Sequence, residues 1–178
     1  MTPQTFEIPT LKTARLVLRP PQPETDWGPF EAMMTSERAR YMGGPFSREG
    51  AWGGFCHAAA TWAYYGRGTL FAERKDTGQL VGETGLNDGP LFPETEIGWS
   101  IFAEKDEGQG FATEAAGALR DWAYSQGGLT TLVSYTHPDN HASQAVAQRL
   151  GCVRDDAAPR QDEEDIVWRH PSPEALKG

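Results

Sequence analysis

A mixed α/β (α+β) layer fold is what this sequence predicts, and three observations carry the prediction. Segments with the alternation of a β-strand and segments with the repeat of a helix follow one another, but without the regular βαβ order of a dinucleotide-binding sheet. Glycine and proline stops separate them. A chain of 178 residues with 38% apolar side chains can bury one continuous core, so a single domain over 1–178 is expected.

The elements follow in order. "TARLVLRP" (13–20) is rich in β-formers and stops at Pro20 and Pro21, where backbone donors run out, so it reads as an opening strand. Thr25 or Asp26 is placed to cap a short helix carrying Trp27, Phe30 and Met33 or Met34 on one side. A second helix starts at Ser47, because Trp52, Phe55, Ala59 and Trp62 recur at intervals of 3, 4 and 3 residues; Gly66 and Gly68 end it. "TLFAERK" (69–75) and "QLVGETGL" (79–86) flank Asp76-Thr77-Gly78 and read as a hairpin. "ETEIGWSIF" (94–102) adds a third neighbouring strand. Ala115, Ala118, Leu119 and Trp122 share a face of a helix expected from about Phe111 to Gln126, stopped by Gly127-Gly128. "TTLVSYT" (130–136) is another strand, a helix from about Asn140 to Leu150 closes at Gly151, and the tail offers strands near Cys152–Arg154 and Ile166–Arg169.

Composition narrows the function classes. The formal charge of −9 argues against a nucleic-acid backbone as the main partner. No apolar run reaches the length of a membrane span, and the first twenty residues mix polar and apolar types unlike a signal peptide, so a cytoplasmic location is expected. Cys56 and Cys152 sit in helical or core-like contexts and are expected as buried free thiols. No cysteine and histidine spacing suggests zinc. The acidic run "DEEDIVW" (162–168) reads as a turn entering a strand rather than a metal site.

The stretch "DEGQGFATEA" (106–115) places Gly108 and Gly110 between a strand and a helix N-terminus. Such a junction is a good anion site, because unpaired N–H groups and the positive end of the helix dipole converge there. It has no lysine of a Walker loop, and it does not fit a Rossmann fingerprint, which requires a third small residue and an acidic residue about 20 positions on after a strand. Taken alone, the two glycines read more simply as a tight strand-to-helix turn.

In order and spacing, "LVGETGL" (80–86), "EIGWSI" (96–101), "GQGFATEA" (108–115) and "HPDNHASQAVAQRLG" (137–151) resemble the GCN5-related N-acetyltransferase (GNAT) family, in the branch of the ribosomal-protein alanine acetyltransferases. The resemblance implies a mostly antiparallel sheet with helices on both faces, splayed between two central strands. It implies acetyl-coenzyme A as acyl donor and an amine as acceptor, either a protein N-terminus or a small molecule. The diphosphate would lie on the main chain of Glu107, Gly108, Gln109, Gly110, Phe111, Ala112 and Thr113, with amides near Trp99 and Ile101 holding the thioester and pantetheine. Asn140 and Ser143 match the family's N-x-x-S element, where Asn bonds the pantetheine and Ser lies near the sulfur; without the resemblance they read as an N-cap and an exposed helix serine. Relatives are often dimers, so a homodimer is a further implication.

Acetyl transfer requires a neutral amine, and an amine with a pKa near 10 is mostly ammonium at neutral pH, so a base is needed. Glu96, which heads the strand resembling the family's central one, is the first candidate and Glu83 the second; each could instead be an ion-paired or solvated strand carboxylate. Many relatives place a tyrosine acid four residues beyond the serine, where this chain has Ala147, so Ser143 or water stands in. The missing tyrosine also fits a non-catalytic acyl-coenzyme A-binding module. His57 and His137 read as structural or exposed. The resemblance implies an acceptor wall built from the helices and loops of 24–66 and 86–95, whose residues carry no readable code for the acceptor.

Overall fold

The hairpin read at Asp76-Thr77-Gly78 is present, with Gly78 at φ +68°, a conformation that favours glycine. The computed structural model describes residues 7–178. Its strands are β1 (Leu11–Lys12), β2 (Leu16–Arg19), β3 (Thr69–Arg74), β4 (Leu80–Asn87), β5 (Glu96–Ile101), β6 (Val133–Thr136), β7 (Val153–Arg154) and β8 (Ile166–Arg169). Its helices are α1 (Pro23–Met34), α2 (Arg48–Tyr65), α3 (Phe111–Ser125) and α4 (His141–Arg149). The eight strands form one sheet in the order β1-β2-β3-β4-β5-β6-β8-β7. Every neighbouring pair is antiparallel except β5 and β6, which run parallel.

Alternation along β3 distributes the core to both faces. Leu70 and Ala72 join the buried face of α3, where Phe111, Ala115 and Leu119 cover Leu16, Leu18 and Leu86. Phe71, between them, points to the opposite face and meets Phe30 of α1, Phe55 of α2 and Phe102. Five pairings among these four phenylalanines have ring centroids 5.4 to 5.9 Å apart, mostly edge to face. α4 packs against α3 through Ala147 and Leu150, and Arg120 of α3 donates to the Leu150 carbonyl at 2.8 Å, satisfying the end of that helix.

Several local expectations change. Ser47 caps α2 as read, accepting from the Gly50 amide at 3.0 Å. Neither Thr25 nor Asp26 caps α1, which starts at Pro23 after Gln22 without a side-chain cap. Asp26 is instead fully buried and accepts two bonds from Arg19 of β2, at 2.7 and 2.9 Å. Cys152 is buried, but Cys56 is exposed because α2 buries Ala51, Phe55, Ala58 and Trp62 and turns residue 56 outward. Trp52 is half-exposed and stacks on Phe55. A 3-10 helix at Glu37–Met42, not anticipated, links α1 to α2. Among the described residues, no helix is long and apolar enough to cross a membrane.

Candidate active site

Where β5 meets β6, the sheet opens. The two strands share a single register pair, Glu96 with Val133. The Ser134 hydroxyl donates to the Ile97 carbonyl at 2.5 Å and contacts His170 Nε2 at 3.0 Å, pegging the strands at the point where pairing stops. Burial, followed by the charges of Arg120 and Arg169, pushes His170 down to about 3, so this peg is neutral. Beyond it the Phe102 amide donates to Val81 of β4, so strand alternation turns the backbone of Ile97, Trp99 and Ile101 toward the opening. The resulting cleft has a volume of about 890 Å³, within the range of small-ligand sites.

At one end of the cleft lies the glycine loop. Gly108 and Gly110 have φ of +70° and +82°, and a Cβ on Gly108 would meet only open space. Gly110 is the N-cap of α3 and offers no capping side chain, so the Phe111, Ala112 and Thr113 amides have no acceptor among the described residues. The buried Thr113 hydroxyl lacks a partner as well. Glu107 departs from this set, because its amide already donates to the Glu104 carbonyl at 3.0 Å in a 3-10 turn. Its carboxylate accepts from Arg38 Nη2 at 2.6 Å, which offsets the negative charge that the acid would otherwise present beside an anion. The Gln109 carbonyl faces away and accepts from Arg15. A diphosphate fits the remaining amides and the orphaned hydroxyl.

The two candidate bases stand on one face of the sheet. Glu83 is the cross-strand partner of Ser100, and Glu96 of Asn87, so the even spacing along β4 and β5 turns all four into the same cleft. Among the described residues Glu83 accepts only the Ser100 hydroxyl, at 3.2 Å, and burial pushes its acid up to about 7. Burial pushes Glu96 up to about 6, less far because Asn87 donates to it at 2.8 Å and the Tyr135 amide assists. Neither carboxylate forms an ion pair among the described residues.

Asn140 caps α4 through Oδ1, which accepts from the Ser143 amide at 3.2 Å, leaving its NH2 group available. Ser143 lines the cleft from α4. Ala147 does not: it is fully buried against α3, so a tyrosine side chain there would enter the core. Sequence reasoning missed the strap over the opening. From the 3-10 helix Glu37–Met42, Arg38 donates to the Ile101 carbonyl at 2.9 Å on the β5 side, and Tyr41 stacks on His137 at 5.2 Å on the β6 side. The run "ERARYM" lacks a helical repeat, but its two cations and tyrosine were a usable signal. His137 thus lines the cleft rather than serving only the surface. A second recess of about 450 Å³ beside Arg19 commits its carboxylates, Asp26 and Glu73, to that arginine and offers no spare acid or base.

The sheet splayed between β5 and β6, with the uncommitted amides of a helix N-terminus beside the opening, is the arrangement expected of an acyltransferase domain of the family that the sequence resembles. The acetyltransferase (GNAT) domain family matches residues 15–153. The chain belongs to this family, whose members are acetyl-coenzyme A-dependent acyltransferases. The crystal structure of an acetyltransferase from Agrobacterium tumefaciens str. C58 is 46% identical, with 96% of this chain and 99% of that one covered at a TM-score of 0.88. RimL, a ribosomal L7/L12 alpha-N-protein acetyltransferase solved with coenzyme A, shares the fold at 18% identity and a TM-score of 0.71, covering 94% of this chain and 99% of its own. The uncharacterized protein YkkB of Bacillus subtilis (strain 168) is 34% identical over 89 residues, 49% of this chain. That match spans about half, 51%, of YkkB.

Proposed function

We propose that the cleft transfers an acetyl group from acetyl-coenzyme A to a primary amine, on a protein N-terminus or a small molecule. One observation carries this reading: uncommitted α3 amides and two unpaired, desolvated carboxylates line the same opening. The bound donor supplies the activated acyl group as a thioester.

The remaining work falls to side chains and backbone of this protein. The amides of Gly108, Gly110, Phe111, Ala112 and Thr113 would hold the diphosphate, and those of Trp99 and Ile101 the pantetheine and acyl oxygen. The amine arrives as ammonium and must lose a proton before it attacks. Glu83 is the better acceptor for that proton, because its acid lies near neutrality and a single hydroxyl holds it. Glu96, more tightly bonded, orients the amine and is the alternative base. Ser143 and water serve the departing sulfur, and the free NH2 of Asn140 the pantetheine.

Thiol release from acetyl-coenzyme A, measured with and without a panel of primary amines, tests the reading. Amine-dependent release that falls in Glu83→Gln supports it. Equal release with and without amine, or no release with any amine, would overturn it.

A further inference from the structure

On the outer side of the glycine loop, Thr13, Arg15 and Glu114 build a clamp, and none of the three lines the cleft. Arg15 Nη1 donates to the Gln109 carbonyl at 2.8 Å. Its Nε donates to Glu114 Oε2 at 2.6 Å and its backbone amide to Glu114 Oε1 at 2.8 Å. Thr13 donates to the same Oε1 at 2.6 Å. The guanidinium also lies over the Phe111 ring, 4.6 Å from its centroid, and Nη2 is 3.4 Å from where a Cβ on Gly110 would stand. Burial alone would raise the Glu114 acid, but the bonds from Thr13 and Arg15 hold it below its ordinary value, so the clamp is ionised at neutral pH.

We infer that Arg15 is a positioning residue for the donor's diphosphate, acting through the Gln109–Gly110 peptide. A trans-planar peptide points its C=O and N–H in opposite directions. Holding the Gln109 carbonyl on the outside therefore fixes the Gly110 N–H toward the cleft. The contact with Phe111 anchors the following residue in the same way, so the first amides of α3 are presented as a set. This inference rests on the reading of the loop as the diphosphate site. Arg15 is about half-exposed (48%), so its ion pair contributes little to global stability. Its effect belongs to the geometry of the loop.

The test compares two donors, acetyl-coenzyme A and S-acetylpantetheine, which ends before the diphosphate, in the wild type, Arg15→Ala and Arg15→Lys. The expected result is a rise of about tenfold in KM for acetyl-coenzyme A in Arg15→Ala, as for the loss of one charge-assisted hydrogen bond. KM for S-acetylpantetheine and kcat should stay within about twofold, and lysine should restore affinity only in part because it lacks the planar fork. Each ratio is taken within one variant, so a change in the folded fraction cancels; if Arg15→Ala does not fold, Arg15→Lys carries the same comparison with a smaller rise. A wild type that strongly prefers acetyl-coenzyme A, with that preference unchanged in the variants, would overturn the role of Arg15 and leave the diphosphate reading standing. A wild type that does not distinguish the two donors would overturn both.

Discussion

Glu83 of β4 and Ser100 of β5 are direct cross-strand partners, with the serine hydroxyl 3.2 Å from Glu83 Oε1 on the floor of the cleft. Nothing else among the described side chains bonds this carboxylate. As a proton acceptor it works only when ionised, and burial holds its acid at about 7. The expected profile of kcat/KM therefore rises with pH through about 7 and levels above it. In Glu83→Gln that limb should vanish and kcat/KM fall by about 10²-fold or more. Glu96→Gln should keep the limb near 7. A limb that survives Glu83→Gln and is lost in Glu96→Gln would exchange the two roles.

The same shift has an opposite effect on stability. The folded protein binds the Glu83 proton more tightly than the unfolded chain, whose acid titrates near its ordinary 4.5. Stability is then fully present below that value and is lost as pH rises toward 7. Glu96 adds to the trend up to about 6. At pH 8, Glu83→Gln should therefore melt higher than the wild type by about 2–4 °C, the shift expected for roughly 1 kcal/mol in a domain of this size. Near pH 5 the difference should shrink. Thermal melts at the two pH values read it directly.

Asn140 joins a structural and a binding role that substitution can separate. Asn140→Ala removes the α4 cap, a loss of about 1 kcal/mol, whereas Asn140→Ser keeps a capping oxygen. Both lose the NH2 group. KM for acetyl-coenzyme A should rise severalfold in both variants, and only the alanine variant should melt lower. If neither changes KM, the residue is a cap alone.

Asp26 carries a stability prediction with the reverse pH sign. Burial would raise its acid, but Arg19, the Gln22 amide and Thr25 hold it below the ordinary 3.8. Its contribution is present above that value and is lost as pH falls through the depressed one. Asp26→Ala leaves Arg19 with Glu73 as its only carboxylate partner and should cost about 3–5 kcal/mol, the range for breaking a buried pair. Chemical denaturation at pH 7 measures it, and a loss under about 1 kcal/mol would contradict the assignment.

Element order was legible because the stops are chemical: Pro20 and Pro21 end β2, Gly66 ends α2 in the left-handed conformation, and Gly110 and Gly128 bound the region of α3. The glycine loop was legible for the same reason. Pairings that no local pattern announces, near or distant in sequence, were not. Asp26 looks like a cap from its neighbours, yet Arg19, set beside it by the turn from β2 into α1, is the partner that decides its place. The Glu107 amide looks available until the 3-10 turn at Glu104–Asp106 takes it. The convergence of Glu83 and Glu96 depends on the register of β4 and β5, which the loop between them sets and no local pattern announces. Arg38 and Tyr41 entered the site through contacts 63 and 98 residues away in sequence, on Ile101 and Asp139.

The measurement that tests the central claim most directly is coenzyme A thiol release by wild type and Glu83→Gln at pH 8, with a primary amine added to protein already saturated with acetyl-coenzyme A. The account predicts release that begins with the amine in the wild type and is reduced about 10²-fold in the variant. Release at the same rate in both proteins would contradict the assigned base, and saturation by the donor without release to any primary amine would contradict transfer itself.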